Sequence, residues 1–71
     1  MEINTNVADT VRAEMARSRV TQGKLAQQLH LSQAAVSRRL KGQVAFSADE
    51  LIVTAHIVNV PVGAFFGEVA A

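Results

Sequence analysis

One stretch limits what this chain can become: Thr21 to Gly42, TQGKLAQQLHLSQAAVSRRLKG. Leu25, Ala26 and Leu29 recur at the i, i+1, i+4 spacing that puts small and apolar groups on one helical face. Val36 and Leu40 do the same for a second segment. Only His30-Leu31-Ser32 separates the two, which is too short for anything except a sharp reversal. Ser32 is placed to cap the second segment through its hydroxyl, and Thr21 to cap the first. The spacing predicts helices over about 22–29 and 33–41, with Gly42 as the C-cap of the latter. Gly23 costs propensity in the first turn but lets the backbone come close to something large.

Helix, tight turn, helix at these lengths is the helix-turn-helix pattern, and the rest of the chain reads as support for it. Ahead of it, Val7, Val11 and Met15 stand at i, i+4, i+8, the apolar face of a first helix with Thr5 or Asn6 as its N-cap. Behind it, Gln43-Val44-Ala45-Phe46 is a loop whose Phe46 is expected to plug the core. Ser47 and Glu50 form a capping box for a fourth helix with Leu51, Ile52, Ala55 and Val58 on its buried face. Asn59 takes the place of a terminal glycine, and Pro61 suits the first turn of a short fifth helix closed by Phe65 or Phe66. No strand pattern occurs. The expectation is an all-α, compact five-helix bundle, a single domain over 1–71.

At 71 residues and 49% apolar, one modest core is what the chain can bury. There is no cysteine for a disulfide or a thiolate metal site. No apolar run approaches the ~20 residues of a membrane span, and the first residues lack a signal-peptide pattern, so a cytoplasmic protein is expected. The net charge of +1 hides an uneven distribution. From Met15 to Phe46 there are six basic residues, Arg17, Arg19, Lys24, Arg38, Arg39 and Lys41, and no acidic one. Such a local excess attracts phosphate even when the whole chain is nearly neutral.

With these residues in view, the sequence resembles the Cro and lambda-repressor-like family of phage and bacterial regulators. The likeness rests on TQGKLAQQLHLSQAAVSRRLKG, on the SADEL helix start and on the NVPVGAFF close, and so covers nearly the whole chain. It implies a five-helix domain whose third helix enters the major groove of duplex DNA and a role in controlling transcription, most simply as a repressor. Two positions depart from the family pattern. His30 stands where the turn usually has glycine, and Arg39 where many relatives have an aliphatic residue. The Arg39 stem is expected to cover the core while its guanidinium reaches out to a phosphate.

With Val36 and Leu40 inward, Gln33, Ala34, Ser37, Arg38 and Lys41 face outward on the third helix. The resemblance places base readers at Gln33, Ala34, Ser37 and Arg38. The chemistry agrees, since glutamine pairs with adenine N6/N7, arginine with guanine O6/N7, and alanine meets a thymine methyl. The resemblance also implies that the Gln22 side-chain amide bridges the DNA backbone and the Gln33 side chain. Free N–H groups over Thr21, Gln22 and Gly23 suit a phosphate. Lys24, Arg39, Lys41 and the Gly42 and Gln43 amides are further expected phosphate contacts, which position without reading sequence.

His30 and His56 are the only histidines and lie on separate segments. No metal, cofactor, small-molecule ligand or active site is expected, and the four serines are explained by capping or by the outward face. Val53 and Ile57 lie off the buried stripe of the fourth helix; with Phe66 and Val69 they form an expected surface for a homodimer on DNA. The competing reading is a helical protein-interaction module that uses this same apolar surface and keeps the helix pair as scaffold.

Overall fold

Side-chain caps and reversed backbone turns decide where each helix of this chain starts and stops. A computed structural model describes residues 3–66. Four α-helices, α1 (Ile3–Ser18), α2 (Gln22–Leu29), α3 (Gln33–Leu40) and α4 (Ala48–Val58), are followed by a 3-10 helix over Val62–Phe66. No strand occurs among the described residues. Thr21 Oγ1 accepts from Lys24 N–H at 3.1 Å and Ser32 Oγ from Ala35 N–H at 3.0 Å. At α4 the capping box is complete: Ser47 Oγ accepts from Glu50 N–H at 3.1 Å and Glu50 Oε1 from Ser47 N–H at 2.9 Å.

All four α-helices close in the same way. The N–H two residues past the end, or three past it for α3, returns to a carbonyl in the last turn: Val20 to Met15, Leu31 to Ala26, Gln43 to Arg38 and Val60 to Ala55, at 2.9–3.0 Å. This six-to-one bond requires left-handed backbone at the residue before it. Arg19, His30, Gly42 and Asn59 supply that conformation, with φ of 59°, 57°, 78° and 62°. Only one of the four is glycine.

The core gathers Val7, Val11 and Met15 from α1, Leu25 and Ala26 from α2, Val36 and Leu40 from α3, Leu51, Ala55 and Val58 from α4, and Phe65. Phe46 packs at its edge as expected, beside Val20, Leu29, Leu31, Ile57 and Val60. Two arginines of α1 bind the ends of other helices, where the terminal carbonyls favour positive charge. Arg12 donates to the Leu40 carbonyl that ends α3, and Arg17 to the Val58 carbonyl that ends α4 at 2.9 Å.

The structure corrects three expectations and decides one open alternative. α1 begins at Ile3, so Thr5 and Asn6 lie inside it rather than capping it; Ile3 continues the four-residue spacing of Val7 and Val11 by one more turn. The segment after Pro61 is a five-residue 3-10 helix and not a fifth α-helix. Its opening bond, Ala64 N–H to the Pro61 carbonyl at 3.0 Å, is the tighter i to i+3 kind. Ile52 is 56% exposed, and Thr54 is buried in the α4 face instead, its hydroxyl donating to the Glu50 carbonyl at 2.7 Å. Of the two adjacent phenylalanines Phe65 is buried, whereas Phe66 is 56% exposed.

Candidate nucleic-acid interface

α3 turns Val36 and Leu40 into the core, which leaves Gln33, Ala34, Arg38 and Lys41 exposed and Ser37 half-buried. The ridge is presented by the reversal at His30, since left-handed backbone there folds α3 back across α2 within three residues. Histidine tolerates this conformation better than bulky residues do, at some cost in strain. α2 and α3 pack together, and the first turns of the two meet. A β-carbon added at Gly23 would lie 3.5 Å from Gln33 Nε2. The Gln33 amide is therefore held beside the α2 N-terminus. The Lys24 N–H is taken by Thr21, while the N–H groups of Gln22 and Gly23, at the start of the helix, have no acceptor among the described residues.

The seven cations divide into two sets. Arg12 pairs with Asp9, Arg17 with Glu14 and Arg39 with Glu50. Arg19, Lys24, Arg38 and Lys41 are exposed and have no carboxylate partner among the described residues. The free positive charge thus sits on α3, on the first turn of α2 and in the link that leads into α2.

Arg39 is placed differently from its expected reach toward a phosphate. Its Nε donates to Glu50 Oε1 at 3.0 Å, its Nη2 to Glu50 Oε2 at 3.4 Å and its Nη1 to the Ala35 carbonyl at 3.1 Å. The guanidinium turns toward α4 because a carboxylate waits there. Burial raises the Glu50 pKa, but the Ser47 N–H and the Arg39 guanidinium outweigh it and hold the carboxyl below its ordinary value. The amides of Gly42 and Gln43 are likewise engaged, with the Arg39 and Arg38 carbonyls, in closing α3. They are not free donors.

On the apolar side, Val53 is 38% exposed, Ile57 packs on the core and Phe66 is 56% exposed. Ile52 is exposed as well, and Val69 lies outside the described residues. A shallow depression of about 290 Å³ is lined by Arg12, Met15, Ala16, Val20, Gln22 and Leu40. Among the described residues no three His, Cys, Asp or Glu side chains group as metal ligands, and no helix is long and apolar enough to cross a membrane.

These features define an all-α domain that displays one short polar helix, edged with cations that meet no carboxylate among the described residues, on a helical support. The chain belongs to the BetR domain family, whose model matches residues 2–71. No curated protein and no solved structure matches it.

Proposed function

We propose that this domain is a sequence-specific binder of double-stranded DNA that acts as a transcriptional repressor, with α2 and α3 as a helix-turn-helix of the lambda-repressor-like kind. The observation that carries the reading is the sorting of its cations. Three are tied to carboxylates, and the four without such a partner lie on or beside the α2–α3 unit, where phosphates would flank an inserted α3. Gln33, Ala34, Ser37 and Arg38 are the base readers on this reading. Lys24 and Lys41, with the Gln22 and Gly23 amides, take the backbone. Arg39 leaves the list of phosphate contacts, as do the amides of Gly42 and Gln43. Ile52, Val53 and Phe66 offer a surface on which two copies pair across a palindromic site, their recognition helices about 34 Å apart.

Selection of bound duplexes from a random pool supplies the site, and two substitutions then test the roles. Arg38→Ala relaxes the preference for one base pair, with a loss of about 1–3 kcal/mol on the selected duplex and little on a scrambled one. Lys41→Ala weakens both duplexes alike and makes the log–log salt slope shallower by about 0.9. Two variants that behave identically on every duplex would remove the division into reader and anchor. The interaction-module reading gains ground if no duplex is retained at low salt.

A further inference from the structure

Of the three ion pairs among the described residues, two lie within α1, and only Arg39–Glu50 joins separate helices. Its side chains are 16% and 19% exposed, so both charges have given up most of their water. Each partner also holds backbone on its own side. Arg39 donates to the Ala35 carbonyl in the middle of α3, and Glu50 accepts from the Ser47 N–H at the start of α4. A continuous run of hydrogen bonds therefore leads from the Ala35 carbonyl through guanidinium and carboxylate to Ser47. Two apolar residues at these places would hold the helices together about as well, because desolvation cancels much of the attraction in a buried pair. A planar fork on a carboxylate adds angular definition, which simple apolar contact lacks. Arg39 directly follows Arg38, and Ala35 directly follows Ala34. Any roll of α3 about its axis that broke the fork would move the outward side chains with it.

We propose that the Arg39–Glu50 pair is a positioning element: it fixes the roll of α3 and keeps the Arg39 guanidinium off the duplex. It governs which sequence is preferred, not how many phosphates are neutralised. The proposal rests on α3 being the duplex-facing helix.

The test uses Glu50→Gln, Arg39→Met and the double variant, with the selected and a scrambled duplex titrated across salt at 10 °C, after thermal melts show each variant folded. Glutamine at position 50 still accepts from the Ser47 N–H, so the cap survives. Arg39→Lys is the second variant should methionine fail to fold. The expected result is about a tenfold fall in the preference for the selected duplex in each single variant, as for a partial loss of one base contact. The double variant loses no more than either single one, and the salt slope stays as in wild type. Glu50→Gln that tightens both duplexes and steepens the slope by about 0.9 would overturn the proposal, since Arg39 would then be a phosphate ligand released from its mask. A duplex preference that stays at the wild-type value in every variant would overturn the pair's role alone. A wild-type chain that binds no duplex would overturn the DNA reading and this proposal together.

Discussion

Replacing Gly23 by alanine separates two properties that most substitutions move together. Gly23 lies in the first turn of α2 without the positive φ that would need glycine, so alanine adopts its backbone freely. The new methyl would stand 3.5 Å from Gln33 Nε2 and 3.9 Å from Thr21 Oγ1, both ordinary contact distances. Nothing in the protein resists it. Alanine in place of helical glycine gains about 0.5–1 kcal/mol, which for a domain of this size raises Tm by roughly 2–8 °C. On the reading proposed above, the sign reverses on DNA. The methyl would sit between the N–H groups assigned to a phosphate and the Gln33 amide assigned to a base. Bulk added where a phosphate and a base would approach forfeits the lower end of a base contact, about 1 kcal/mol or fivefold in Kd. Thermal melts followed by circular dichroism and fluorescence anisotropy on the selected duplex read the two effects. A variant that melts higher and binds as tightly as wild type would refute close approach of the α2 N-terminus to DNA. One that melts lower would refute the steric reasoning.

Three other outcomes follow from the fold. Phe65→Ala removes a fully buried ring and costs about 3–5 kcal/mol, most of the stability a 71-residue domain has, so denaturant titration should show a largely unfolded chain at 37 °C. His30→Gly relieves a left-handed residue that is exposed and makes no side-chain bond among the described residues, with an expected gain of about 1 kcal/mol in a urea melt; a loss would mean that the imidazole has a structural partner. The folded-state pKa of Glu50 is depressed, so its contribution to stability is complete above the ordinary value near 4.5 and is lost as pH falls through the folded pKa. The Tm difference between wild type and Glu50→Gln should accordingly narrow on acidification from pH 7, and a gap that widens would contradict the pairing.

What could be read from the chain alone was what neighbours in sequence determine. The caps at Thr21, Ser32 and Ser47, the box closed by Glu50, and the left-handed residue Asn59 all depend on partners within five residues, and each was legible there. The split of α3 into buried Val36 and Leu40 and an outward polar side follows from helical period in the same way. The misreadings concern partners further away, a choice between equals, or local backbone bonds that no side chain announces. Arg39 meets Glu50 across 11 residues and a loop, and nothing local distinguishes that from a reach to solvent. Ile52 is the greasier residue, yet Thr54 is buried because its hydroxyl can return to the Glu50 carbonyl and Ile52 falls outside the arc of Leu51, Ala55 and Val58. Arg19 closes α1 in left-handed backbone with no side-chain cue such as asparagine or glycine provides. The Gly42 and Gln43 amides looked free because the bonds that occupy them run back along their own helix. The surface offered for pairing shifted toward Ile52 for the same reason that Thr54 went inside.

α2 is bounded on both sides by reversals pinned with six-to-one hydrogen bonds, at Arg19-Val20 before it and His30-Leu31 after it. A segment clamped at both joints cannot swivel to suit a docking surface. On the reading proposed above, the accommodation at contact falls to the nucleic acid, whose steps differ in how readily they bend and narrow. Operators of equal contacted bases but unequal stiffness in between should then rank by flexibility, so that the stubbornness of a short helical elbow becomes, in effect, a ruler held against the duplex.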